Sequence, residues 1–213
     1  MQIARSCFIN GQWVAPDKPT SFTVTNSATG APWLEVPLAG VPEAEGACKA
    51  ARAAFAGWSD LDPAVRAGYL GRIADELEAR QAEIAVAVSR EVGMPLKLSE
   101  RIQVAAPILA WRRLEKASAD YQWTETIGNS LVERVAAGVA ICITPWNYPL
   151  HQITGKVAPA LLAGCTVVLK PSELAPTAAI LFAEAIEAAQ LPAGVLNMVI
   201  GAGADVGAAL VAS

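Results

Sequence analysis

At 213 residues the chain is long enough for one large domain or two small ones, and 54% hydrophobic with 17% charged residues excludes a disordered polypeptide. A net charge of −4 without a basic block argues against nucleic acid as a partner. Cys7, Cys48, Cys142 and Cys165 are scattered, so neither a metal site nor a CxxC motif is expected, and such isolated cysteines fit a reducing, cytoplasmic setting.

The first residues, Met1 to Cys7, hold no signal-like apolar segment. The longest apolar stretch, Val157–Leu169, is interrupted by Pro159 and Gly164 and is too short to cross a bilayer, so no membrane association is expected. Phe8–Val14 reads as a hairpin turning at Asn10-Gly11. Ser21–Thr25 and Trp33–Leu38 are strands around the turn Asn26–Gly30, and together these segments predict a small antiparallel sheet with a stabilising role.

Helices follow. Pro42–Trp58 carries Ala47, Ala50, Ala51, Ala54 and Phe55 on one stripe. Asp62-Pro63 is a helix start, aspartate as N-cap and proline in the first turn. From there the pattern Leu70, Ile73, Leu77, Ile84, Val88 and Val92 predicts one helix running to Gly93. Leu98, Ile102, Ala105 and Leu109 mark the apolar face of another helix, kinked at Pro107. Charged residues such as Glu76, Glu78 and Arg80 read as solvated surface. Residues 121–137 change character: Thr124, Thr126, Ile127, Leu131, Val132 and Val135 are strand formers around a Gly128-Asn129 turn.

The remainder alternates strand and helix: Gly138–Thr144, a helix from Pro149, Thr166–Leu169, Thr177–Gln190, Val195–Ile200, then Gly201–Gly207 opening a helix. Such alternation predicts an α/β fold with a Rossmann-like parallel sheet, flanked by the N-terminal helices and small hairpins. Gly138–Thr144 suits a strand buried on both faces. Pro145 ends it, and Pro149 suits the first turn of a helix. Trp146, Asn147 and Tyr148 lie between the prolines, at the carboxyl end of a strand, where open α/β sheets bind ligands. The next strand ends in Lys170-Pro171-Ser172-Glu173, so two strands deliver an amide, an ammonium and a carboxylate to one sheet edge. Tyr148, His151, Gln152 and Gly155 are spaced to share one helical face. The glycines Gly201, Gly203 and Gly207 are spaced one residue wider than the dinucleotide fingerprint, a pattern that tight helix–strand packing also explains.

At Thr144–Pro149 (TPWNYP), Gly155–Cys165 (GKVAPALLAGC) and Thr166–Glu173 (TVVLKPSE) the chain resembles the aldehyde dehydrogenase superfamily. The opening hairpin followed by NSATG at Asn26–Gly30 resembles that family as well. The resemblance implies oxidation of an aldehyde to a carboxylic acid with a nicotinamide cofactor, through a cysteine thiohemiacetal and a thioester. It assigns Asn147 to the oxyanion amide; a neutral NH2 donor suits developing charge. It places Ile143, Thr144, Pro145, Trp146, Lys170, Ser172, Glu173, Gly203 and Gly207 at the cofactor, with Lys170 and Glu173 on the adenosine ribose. A carboxylate there accepts from a diol and repels a 2′-phosphate, so NAD is favoured over NADP. Tyr148, His151, Gln152 and Gly155 line the aldehyde's approach, and Lys156 lies behind the site.

The implied organisation is residues 1–120 as the first part of a cofactor domain, 121–137 as an arm that builds a homo-oligomer, and 138–213 as the Rossmann-like portion. The family's nucleophilic cysteine, general-base glutamate and second cofactor turn are expected beyond Ser213, and no cysteine here suits the nucleophile's role. Ending inside a covering helix would leave Val195–Ile200 partly bare. The alternatives are a catalytically silent remnant or binding module, and more remotely an acyl-phosphate or acyl-CoA reductase, which the KPSE loop disfavours.

Overall fold

The computed structural model describes residues 2–213. Its chain order opens with strands β1 (Gln2–Ile3), β2 (Cys7–Ile9), β3 (Gln12–Val14), β4 (Thr20–Thr25) and β5 (Pro32–Leu38). Helices α1 (Val41–Ser59), α2 (Pro63–Ala79), α3 (Gln81–Val92) and α4 (Leu96–Leu98) follow, then a π-turn over Ser99–Ala105 and α5 (Ala106–Ala117). The hairpin β6 (Thr124–Ile127) and β7 (Ser130–Glu133) leads to β8 (Val139–Ile143), α6 (Pro149–Leu162), β9 (Thr166–Lys170), α7 (Thr177–Ala188) and β10 (Leu196–Val199). A second π-turn, Gly203–Gly207, runs into α8 (Ala208–Ala212).

The main sheet has the order β3-β2-β10-β9-β8. Strands β8, β9 and β10 are parallel, as the strand–helix alternation predicts. Side chains alternate between its two faces. Phe8, Cys142, Val167, Leu169, Leu196 and Met198 enter the larger core, with α2, α3, α5, α6 and α7. Cys7, Val168 and Val199 face the other way, onto α1, Val206 and Leu210. Small alanines, Ala44, Ala47 and Ala51, let α1 approach that face closely.

The structure departs from the sequence reading in five places. The Asn10-Gly11 hairpin forms with both residues at positive φ, 52° and 75°. It is not part of a separate small sheet, however: β2 pairs antiparallel with β10 and extends the main sheet. Its turn is anchored by the buried Asn197, whose Oδ1 accepts from the Asn10 N–H at 2.9 Å. The separate sheet is β1-β5-β4, with β1 parallel to β5.

The single helix expected over residues 63–92 is broken at Arg80, whose backbone (φ −102°, ψ 7°) leaves the helical region. The Arg80 guanidinium folds back onto the carbonyl and carboxylate of Glu76. The predicted boundaries themselves hold: Asp62 Oδ1 accepts from Ala64 N–H at 2.7 Å, and Gly93 closes α3 at φ 82°.

The apolar face expected along Leu98, Ile102, Ala105 and Leu109 points outward, with Leu98, Ile102 and Leu109 exposed. The π-turn inserts extra backbone ahead of Pro107 and rotates the stripe, so Gln103, Val104, Pro107, Ile108 and Trp111 are buried instead. Strand β8 lies at the sheet edge and is only partly covered, whereas β9 and β10 are buried throughout. Finally, Val195–Ile200 is not bare: its apolar residues are at most 1% exposed, covered by the hairpin strand β2 alongside, α1 on one face and the large core on the other.

Candidate functional site

Three parallel strands end at the same edge of the sheet, and the site is built there. The Thr144 N–H donates to the Lys170 carbonyl at 3.0 Å, carrying the β8–β9 ladder one residue past Ile143. Pro145 has no N–H to continue it, and the chain turns outward. Pro145, Trp146, Asn147 and Tyr148 are exposed, whereas Thr144 is buried. Tyr148 is the N-cap residue of α6, at φ −136°, and Pro149 occupies the first helical position. The Asn147 carbonyl accepts from Gln103 Nε2 at 3.0 Å, while its side-chain amide projects from an exposed residue.

At the neighbouring strand end, Lys170 is only 3% exposed. Its Nζ donates to the Pro171 carbonyl at 3.2 Å and lies 3.5 Å from Glu173 Oε2. Ser172 Oγ accepts from the Leu174 N–H at 3.2 Å and shapes the turn. Lys170, Ile143, Gly203, Gly207, Ala208 and Val211 line an open groove of about 540 Å³. A volume of that size accommodates a small ligand or part of a cofactor.

The three glycines divide the work. A Cβ on Gly201 would lie 2.4 Å from Val206 Cγ2 and 2.7 Å from the Ala39 carbonyl, so this position serves close packing. A Cβ on Gly203 would meet nothing within 4 Å, and one on Gly207 would stand 3.7 Å from Lys170 Cδ. Those two therefore keep the groove wall low. Gly203 and Gly207, with Ile143 and Lys170, are the predicted cofactor residues that meet in one groove; Ser172 and Glu173 follow in the turn after Lys170, and Pro145 and Trp146 stand at the end of β8.

The other predicted group lies along α6. The Tyr148 and His151 rings meet edge-on with centroids 5.8 Å apart. His151 Nε2 is 2.7 Å from the Ile102 carbonyl, and a carbonyl only accepts, so Nε2 carries the proton. Gln152 Oε1 accepts from Lys156 Nζ at 2.7 Å. Gly155 is exposed, with nothing within 4 Å of its would-be Cβ.

None of the four cysteines stands at this edge as a nucleophile. Burial pushes the Cys7 thiol to about 11, and burial does the same for Cys142, to about 11, against the opposing charge of Lys156. Cys165 is buried as well, and Cys48 is half-buried on α1. Among the described residues no group of three His, Cys, Asp or Glu side chains is placed to hold a metal ion. Among them, too, no helix is long and apolar enough to cross a membrane.

Two contributors to this edge escape the sequence pattern: Gln103 and the Ile102 carbonyl, both on the π-turn. One signal does point to the Ile102 carbonyl. Pro107 stands five residues after Ile102, so at π spacing the Ile102 carbonyl finds no N–H within its own helix.

Comparison with known proteins places this architecture. The chain is 41% identical, over its whole length, to a 3-succinoylsemialdehyde-pyridine dehydrogenase of a Pseudomonas species, and covers 45% of that protein. It is 38% identical over 189 residues to the mouse 2-aminomuconic semialdehyde dehydrogenase, covering 39% of it. The chain thus spans less than half the length of these relatives. Among solved structures, a mutant of aldehyde dehydrogenase C from Pseudomonas syringae, complexed with NAD+ and octanal, superposes with a TM-score of 0.94 at 45% identity. That match covers 97% of this chain and 42% of the other. The aldehyde dehydrogenase of Bartonella henselae superposes with a TM-score of 0.95 at 38% identity, over 99% and 45% of the two chains. Residues 13–213 match the aldehyde dehydrogenase family pattern, and with a fold that superposes this closely on its solved members the chain belongs to the aldehyde dehydrogenase family.

Proposed function

We propose that this chain is the N-terminal, cofactor-binding part of an NAD-dependent aldehyde dehydrogenase that oxidises an aldehyde to a carboxylic acid. The observation that carries the reading is the meeting of Lys170, Ile143, Gly203 and Gly207 in one groove, beside a strand end that presents Asn147. The groove fits the adenosine end of NAD. A buried ammonium sits at its floor, a carboxylate stands 3.5 Å from that ammonium, and Gly203 leaves the wall open. NAD supplies the hydride acceptor. Lys170 and Glu173 hold the ribose diol, Ile143, Thr144, Pro145 and Trp146 form the wall along the cofactor, and Ser172 shapes the turn that presents Glu173. Asn147 donates to the oxyanion that forms when the nucleophile adds to the aldehyde. The nucleophile itself is a cysteine outside these 213 residues.

Tyr148, His151, Gln152 and Gly155 form one wall of the aldehyde's path. The space over Gly155 and the polar groups beside it suit a bulky or polar aldehyde. The name of one relative specifies a pyridine-bearing semialdehyde, and octanal was bound to another. Residues 1–120 and 138–213 together form the cofactor domain. Residues 121–137, a two-stranded hairpin outside both larger sheets, form an arm for homo-oligomerisation. The four free cysteines suit a reducing, cytoplasmic location.

The test is NADH formation by the full-length enzyme that carries this segment. Asn147→Ala should lower kcat by about 100- to 1,000-fold, the usual cost of one oxyanion donor, with NAD+ affinity retained. Lys170→Ala should weaken NAD+ binding. Full activity in Asn147→Ala overturns the assignment.

A further inference from the structure

The π-turn Ser99–Ala105 makes one tie to the loop that carries Asn147 and one to the first turn of α6, which follows that loop. Gln103 Nε2 donates to the Asn147 carbonyl at 3.0 Å, and His151 Nε2 donates to the Ile102 carbonyl at 2.7 Å. Gln103 is fully buried, at 0% exposure. Its amide orientation is set by chemistry, because turning it over would set oxygen against oxygen. Its Oε1 then has no partner among the described residues. A buried amide acceptor without a partner costs free energy, so nothing in packing alone explains a glutamine at this position.

The geometry explains it. Pro145 and Pro149 bracket a short exposed stretch whose conformation no ladder fixes. Asn147 sits in the middle of that stretch. A donor fixed in the core and aimed at its carbonyl holds the peptide, and through the peptide the side-chain amide. The π-turn makes this reach possible by rotating Gln103 inward, while Ile102, freed of a partner by Pro107, accepts from the first turn of α6.

We propose that Gln103 is a positioning residue for catalysis: through its hydrogen bond to the Asn147 carbonyl it holds the oxyanion-binding amide in register. The proposal rests on the reading of Asn147 given above. Misplacement of a catalytic group by a fraction of an ångström lowers turnover without weakening binding far from the reacting atoms.

The experiment is a double-mutant cycle in the full-length enzyme, with kcat, KM for NAD+ and thermal melting measured for each variant. Gln103→Met keeps the volume and removes the donor. It should lower kcat roughly tenfold or more with KM for NAD+ unchanged. In an Asn147→Ala background the same change should have no further effect, because the group it positions is gone. Gln103→Glu supplies a second readout. Its carboxyl donates to the Asn147 carbonyl when protonated and repels it when ionised, so its kcat relative to wild type should rise as pH falls. This variant decides the matter if Gln103→Met fails to fold. Two outcomes overturn the proposal alone: wild-type kcat in Gln103→Met while Asn147→Ala is impaired, or an equal loss from Gln103→Met in both backgrounds. Wild-type kcat in Asn147→Ala overturns both this proposal and the reading beneath it.

Discussion

The Lys170 ammonium lies 3.5 Å from the Glu173 carboxylate, one buried and the other a quarter exposed, at the end of a strand that opens onto the groove. In the proposed site the pair is selective as well as adhesive. Glu173 accepts from a ribose diol and sets a negative charge against any 2′-phosphate. Glu173→Ala removes both effects. The preference for NAD over NADP, measured as the ratio of kcat/KM in the full-length enzyme, should fall by about tenfold or more. An unchanged ratio would remove Glu173 from the ribose site.

The open space at Gly155 gives a prediction in two parts. A Cβ there meets nothing within 4 Å, and the residue lies inside α6 on an exposed face. Gly155→Ala should therefore stabilise the fold by about 0.5–1 kcal/mol through helix propensity, read as a raised melting temperature. Gly155→Trp should fill the proposed aldehyde path. Activity on aromatic aldehydes should drop more than activity on acetaldehyde, and equal loss on both would refute a pocket role.

The arm can be tested by its exposed side chains. Ile127 and Leu131 are 60% and 66% exposed on β6 and β7, which among the described residues pair only with each other. A lone two-stranded hairpin with apolar residues facing water needs a covering surface. Ile127→Lys with Leu131→Lys should shift the full-length enzyme toward smaller species in size-exclusion chromatography with light scattering. An unchanged mass would return the hairpin to the monomer.

Much of this architecture can be read from local chemistry. Asp62-Pro63, Asn10-Gly11 and Gly93 announce their own turns and caps, because each acts through its immediate neighbours. The strand ends carrying Asn147 and Lys170 are legible for the same reason: a proline stops each strand. The rest depends on side-chain folding, helix phase or a distant partner that a periodic pattern does not carry. Nothing around Arg80 breaks a helix; the break comes with a side chain folding back on Glu76. A period of 3.6 residues per turn puts Ile102 on the inner face of residues 98–109, and the π-turn rotates that face, exposing Ile102 and burying Gln103. The hairpin β2–β3 pairs with β10, close to 190 residues away in sequence, and no periodicity encodes that partner.

Glu91 links three parts of the fold and gives a pH-dependent prediction. Its carboxylate accepts from Trp33 Nε1 and the Thr177 N–H, each at 3.1 Å, and from the Thr177 hydroxyl. Burial raises its pKa above the ordinary carboxylate value, outweighing the hydrogen bonds from Thr177 and Trp33 that pull it down. The folded state therefore binds this proton more tightly than the unfolded state does. The stability that Glu91 adds is full below its unfolded pKa and is lost as pH rises through the folded one. Glu91→Gln, which cannot titrate and presents an NH2 where one donor needs an acceptor, should cost about 1 kcal/mol. The gap between the two melting temperatures should be widest in mild acid and narrow as pH rises. A gap that widens with pH would mean the carboxylate is favoured by its surroundings.

The cysteines give the last prediction. Aldehyde oxidation of the proposed kind needs a thiolate within reach of Asn147, since hydride leaves only from a tetrahedral carbon that carries an oxyanion. Cys142 is the nearest in sequence, five residues back on β8, but its side chain enters the large core and only 4% of the residue is exposed. With its pKa raised to about 11, almost none of it is thiolate at neutral pH. Cys7 is equally closed, at 0% exposure and about 11. Cys48 is half-buried, and it packs on the part of α1 that covers the face of the sheet opposite the large core. Expressed as these 213 residues, the polypeptide should form neither NADH from NAD+ nor NADPH from NADP+ with any aldehyde. Iodoacetamide at pH 8 should label Cys48 and leave Cys7 and Cys142 unlabelled until the chain is unfolded, as peptide mass mapping would read. Turnover of an aldehyde by the 213 residues, abolished by alkylation of Cys142, would place the nucleophile inside this chain and overturn the division of labour proposed for it.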